Sequence, residues 1–80
     1  MNTEYITILD FTTACVTMIH LTEKEQKESE KYDDMYDFLY TLEDKYGFSV
    51  SNSQFMFTSS LDMECYENGN VVSTKEFFKE

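Results

Sequence analysis

His20 is the only histidine in the chain, and as a catalytic residue it would serve as a general base beside Asp10 or Cys15. Such chemistry needs more parts than this chain carries. There is no glycine-rich loop and no nucleophile elbow, and with no Arg there is no guanidinium to hold an oxyanion or a phosphate. A strand histidine hydrogen-bonded to a neighbour is the commoner arrangement. Cys15, His20 and Cys65 are metal-ligand types, but they lack the close paired spacing of a zinc site and have no evident fourth ligand. Asp33, Asp34 and Asp37 offer carboxylates to calcium, yet a helix holds them apart and supplies none of the backbone carbonyls of a calcium loop. The residues predict no catalytic side chain, no bound metal and no cofactor.

What remains is charge. Glu30, Asp33, Asp34, Asp37 and Asp44 fall on one side of a helical projection, opposite an apolar stripe. Glu30, Asp37 and Asp44 recur at heptad spacing, about 10.5 Å apart along a helix axis. A row of negative charge at regular intervals also describes a nucleic-acid backbone, so this face is the candidate partner-binding surface, with a merely solvated face as the bland alternative.

The formal net charge is −10, from sixteen Asp and Glu against six Lys. Direct binding to nucleic acid is thereby disfavoured and a basic protein partner favoured. High net charge also keeps a small aromatic-rich protein soluble. Eighty residues, 41% of them hydrophobic, make one domain over residues 1–80 with a thin core. Seven Phe and six Tyr exceed what that core requires, which suggests aromatic surface reserved for a partner or a second subunit. No apolar run approaches the ~18 residues of a membrane span, and no secretory signal opens the chain, so a cytoplasmic protein with reduced thiols is expected.

The elements that must position these residues follow from periodicity. Residues 22–47 predict one long amphipathic helix, opened by a capping box at Thr22 and Glu25 and closed at Gly47. Tyr32, Met35, Tyr36, Leu39, Leu42 and Tyr46 form its apolar stripe, with Phe38 and Tyr40 at the edges. Its first turns contain no apolar residue and would rest on ion pairs such as Glu23 with Lys27 and Lys24 with Glu28. Before it, residues 4–11 read as a central strand, apolar on both faces, joined by a two- or three-residue turn at Thr12 and Thr13 to a strand over residues 15–21. After it, Phe55, Phe57, Leu61, Met63 and Cys65 keep odd parity, which predicts one long strand over residues 54–66, bent or bulged at Ser59 and Ser60. Asn68 and Gly69 make a tight hairpin that pairs Cys65 with Val72 inward and Tyr66 with Val71 outward. A last helical turn would fold Phe77 and Phe78 back on the sheet. The expected fold is α+β, a two-layer ββαββ domain with one long helix on a mainly antiparallel three- to four-stranded sheet. One helix covers one face, which leaves the other to a homodimer or a partner.

The run Glu4-Tyr-Ile-Thr-Ile-Leu-Asp-Phe-Thr-Thr13, with Gly47-Phe48 and Gln54-Phe-Met-Phe-Thr58, resembles certain small uncharacterised proteins carried on mobile genetic elements of gut bacteria. The resemblance covers about a third of the chain. It implies an opening hairpin and a mobile-element setting and supplies no site residues; many of those proteins have Gly where this chain has Ala14. The function expected from the sequence is a small acidic, non-enzymatic protein-interaction or regulatory module. The alternatives are a nucleic-acid-mimicking inhibitor of a DNA- or RNA-binding protein and a small enzyme using His20.

Overall fold

Ile6 and Ile8 alternate with Tyr5, Thr7 and Leu9, and in a strand this alternation sends the two sets to opposite faces. The computed structural model describes residues 3–79 and places that strand, β1 (Tyr5–Asp10), at the centre of a three-stranded antiparallel sheet ordered β2-β1-β3. β2 is Cys15–His20 and β3 is Ser53–Thr58. The register sets Ile6 opposite Ile19 and Phe57, and Ile8 opposite Thr17 and Phe55. Ile6 and Ile8 have no exposed surface and join Ile19, Leu21, Phe38, Leu39, Leu42, Phe48 and Val50 in a single core. The fold is therefore α+β, with helices packed on a small antiparallel sheet, as the periodicity implied.

The single long helix is not formed. Residues 22–47 carry two helices, α1 (Glu23–Ser29) and α2 (Met35–Tyr46). The capping box is present, with the Thr22 N–H donating to Glu25 Oε1 at 2.9 Å and the Glu25 N–H donating to Thr22 Oγ1 at 3.1 Å. The break has two local causes. α1 has no apolar face to propagate, and Asp34 offers a better local bond as an N-cap, its carboxylate accepting the Tyr36 N–H at 2.9 Å. The anticipated Glu23–Lys27 and Lys24–Glu28 pairs do not form, and Glu28 takes Lys31 at 2.9 Å instead. In α2 the buried residues are Phe38, Leu39 and Leu42, so Phe38 lies at the middle of the stripe; Tyr40 is exposed, and Tyr36, half exposed, packs edge-to-face on Phe55 at 5.9 Å. Gly47 ends α2 in the left-handed conformation, φ +72°.

The long strand is also interrupted. β3 ends at Thr58, opposite Tyr5 at the start of β1, where the Thr58 carbonyl accepts the Glu4 N–H at 3.0 Å. The chain bends at Ser59 and Ser60, and β4 (Cys65–Glu67) pairs with β5 (Asn70–Val72) in a separate two-stranded sheet. Its register, Cys65 with Val72 and Tyr66 with Val71, is the one read from Asn68 and Gly69. Both turn residues have positive φ, +52° and +79°. α3 (Thr74–Phe78) follows, capped by Ser73.

The first hairpin uses a four-residue turn, residues 11–14, one longer than expected. Asp10 holds it, its Oδ1 accepting N–H bonds from Thr12 at 2.9 Å and Thr13 at 3.4 Å. Ala14 closes the turn at φ +54°, a conformation that costs a residue with a Cβ about 1 to 2 kcal/mol.

Leu39 is fully buried at the helix–sheet contact. Its truncation in Leu39→Ala should lower stability by about 2 to 5 kcal/mol in chemical denaturation. A shift no larger than that of an exposed-site control such as Tyr40→Ala would show that Leu39 does not occupy the core.

Candidate interaction surfaces

The five acids singled out from the sequence are all exposed, but they do not share one rod. Glu30 is the C-cap of α1, Asp33 lies in the bend, Asp34 caps α2, and Asp37 and Asp44 stand on α2 itself. The heptad spacing survives only between Asp37 and Asp44, because the break between the helices takes Glu30 off their axis. Glu30 and Asp33 come together instead in a shallow cleft of about 290 Å³ with Ser29, Tyr32 and Met35. None of the five joins an ion pair among the described residues.

The acid that does structural work is Glu25, read from the sequence only as half of a capping box. Its carboxylate is nearly buried and takes three partners: besides the Thr22 N–H, Oε2 accepts from the Tyr46 hydroxyl at 2.7 Å and from Lys45 Nζ at 3.1 Å. Burial alone would raise its pKa, but the bonds from the Thr22 backbone, Tyr46, Lys45 and the Thr22 side chain outweigh it and hold the group at about 2. One carboxylate thus joins the start of α1 to the end of α2. Glu43 acts similarly at shorter range, its Oε2 accepting the Val50 N–H at 2.8 Å where a short 3-10 turn (Val50–Asn52) leads into β3.

The groups weighed for catalysis are not brought together. His20 sits opposite Tyr5, its ring stacked on the tyrosine at 4.4 Å between centroids. Asp10 pairs with Cys15 at the other end of the sheet, about 16 Å away at the usual strand rise. Burial works to raise the Asp10 pKa, but its bonds from Thr12, Thr13 and Ser49 bring it below the ordinary carboxylate value. Its lone pairs are already engaged by the turn. Cys15 and Cys65 approach the same groove, while His20 lies at the far end of β2. Among the described residues no three of His, Cys, Asp and Glu are grouped to hold a metal ion.

Two surfaces stand out instead. The first is the face of the sheet turned away from the helices, formed by Tyr5, Thr7 and Leu9 of β1, Val16, Met18 and His20 of β2, and Gln54, Met56 and Thr58 of β3. The central strand is apolar on both faces, as its sequence reads, and among the described residues this side stays open. Leu9, Val16, Met18 and Met56 are all more than 40% exposed. Among the described residues no Asp, Glu or Lys of the three strands lies on this face, although such residues make up 28% of the chain. The hydroxyl oxygens of Thr7 and Thr58 are buried beneath it without a hydrogen-bond partner.

The second surface continues from the first. Beyond the edge of β2 a groove of about 810 Å³ runs between Val16 and Met18 on one wall and Met63, Tyr66, Phe77 and Phe78 on the other. The helical turn expected at the C-terminal end forms, but Phe77 and Phe78, in edge-to-face contact at 5.2 Å, line this groove and remain half open. Periodicity cannot reveal such a groove, since its walls lie about fifty residues apart in sequence; the one local signal is the pair of adjacent Phe in a helix of five residues.

The chain matches no family model, no curated protein and no solved structure. Among the described residues no helix is long and apolar enough to cross a membrane.

The three hydrogen bonds to the Glu25 carboxylate give a test through pH. Because its folded-state pKa lies below the ordinary 4.5, its contribution is present above about pH 4.5 and is lost as pH falls toward 2. Glu25→Ala should cost about 1 to 3 kcal/mol at pH 7, and the deficit should shrink over that acid window. A deficit independent of pH would mean that charge at Glu25 is irrelevant.

Proposed function

We propose that this protein is a small acidic, non-enzymatic interaction or regulatory module that docks a basic protein partner through the open face of its sheet. The observation that carries the reading is that open face: four large apolar side chains exposed together, with no formal charge among them, in a chain of net charge −10. An exposed apolar patch of this kind in a small protein is costly to leave in water and marks a contact surface. Around it the acidic surface steers a basic partner and repels an acidic one, adding association rate and selectivity to contacts made by the apolar centre. The same uncharged face suits a second copy, for which the like-charged remainder of the two molecules turns outward. The resemblance to mobile-element proteins supplies the setting.

A second reading is mimicry of a nucleic-acid backbone by the helix acids. What favours it is that Glu30, Asp33, Asp34, Asp37 and Asp44 are exposed and engaged by no lysine. What counts against it is the break that leaves only Asp37 and Asp44 in heptad register.

One pull-down separates the two. The wild type is compared with an amide variant, Glu30→Gln, Asp33→Asn, Asp37→Asn and Asp44→Asn, and with a sheet-face variant, Leu9→Lys and Met56→Lys. Partners retained by the amide variant and lost with the sheet-face variant are the expected outcome. The reverse pattern would transfer the function to the acidic helices, and capture of nothing by the wild type would remove the basis for either surface.

A further inference from the structure

We infer that the groove between β2 and the C-terminal hairpin–helix unit binds a cationic amphipathic helix of a partner protein. The inference rests on the reading of the protein as an interaction module and specifies the form of partner that the module accepts.

The groove is the wrong shape for a small ligand. Drug-sized molecules bind where most of their surface is enclosed, but here the walls stay open to solvent: Met63 is 36% exposed, Tyr66 54% and Phe78 58%. A longer element with one apolar face fits such a trough, burying that face and leaving the rest in water. The lining suits a helix in particular. Met18 and Met63 face it from opposite walls, and flexible thioether side chains adapt to the irregular ridge of a helix better than branched aliphatics do. Phe77 and Phe78 give the far wall two aromatic anchors of the kind that dominate binding energy when buried. A five-residue helix gains little by ending in two half-exposed phenylalanines unless something covers them.

Charge selects the sign of the occupant. Glu64 lines the groove, and Asp62, Glu67 and Glu76 lie exposed or half-exposed on the same hairpin–helix unit. Lys75 and Lys79 are the opposing cations there, and none of these acids enters an ion pair among the described residues. With a whole-chain charge of −10, an acidic helix would be repelled and a basic one drawn in.

The test uses a fluorescein-labelled Leu/Lys peptide of about 14 residues, roughly 20 Å of helix. Its control is a Ser/Lys peptide of the same charge with no apolar face. Titration of the full chain should give saturable binding of the Leu/Lys peptide that weakens with added salt, and much weaker binding of the control. Val16→Ser and Phe78→Ser alter opposite walls at exposed positions and should each weaken binding about tenfold or more, with no change in thermal midpoint. Amide shift changes should fall on β2, β4 and α3. Tyr40→Ala, an exposed change on α2 outside the groove, should bind the peptide normally. Equal binding of the two peptides would show attraction by bulk charge and overturn the groove assignment, as would absence of binding at low salt. Shift changes confined to Asp37 and Asp44, indifferent to Phe78→Ser, would overturn the groove while leaving the broader interaction reading intact.

Discussion

β1 has backbone partners on both edges and a side-chain layer on only one face, and the remaining architecture follows from that asymmetry. Ile6 and Ile8 are completely withdrawn from water by α2, while Leu9, one residue further on, is 43% exposed. A small domain buries a smaller fraction of its surface than a large one, and among the described residues only one side of this sheet is covered. Here the helical layer goes to the side of the isoleucines, and the C-terminal hairpin and α3 settle beyond the edge of β2 without closing over the other side. Both exposed apolar surfaces lie where that cover is missing.

A thin core also explains the use of buried charge. Apolar burial joins α2 to the sheet, but α1 brings only Glu25 and Ser29 inward, so its attachment is polar. A single carboxylate that satisfies the Thr22 backbone and takes Tyr46 and Lys45 from the far end of α2 sets how the two helices lie together. Asp10 and Glu43 do the same for the first turn and for the entry to β3. Three acids therefore act as clips within the fold, and the exposed ones give the molecule its field. The −10 charge is thus not one property: part of it is structural and part is available to a partner.

The sequence made the strands, the helix C-cap, the capping box and the second hairpin legible because each is written within a few residues. Alternation at Ile6 and Ile8, Gly47 after Tyr46, Thr22 with Glu25, and Asn68 with Gly69 need no distant partner to be recognised. The failures share the opposite character. Tyr32 fits the helical stripe by spacing yet lies outside both helices, because the Asp34 cap overrides periodicity at that point and Tyr32 packs on Phe38 from the connecting segment. Leu61, Met63 and Cys65 keep strand parity, but the ladder with β1 ends at Thr58 and the chain bends at Ser59 and Ser60. The five acidic residues were placed on the surface correctly and on a common axis wrongly, for the same reason as the helix. The groove was beyond reach, being formed by side chains that share no local pattern.

The two faces of one sheet differ, one dry and one bare. Solvent relaxation of methyl resonances by a neutral gadolinium chelate reads this directly. In dilute protein the methyls of Leu9, Val16, Met18 and Met56 should relax strongly, while those of Ile6, Ile8 and Leu39 stay protected. Protection of both sets to the same extent at every dilution would contradict the account, since the face assigned to a partner would already be covered within the chain itself.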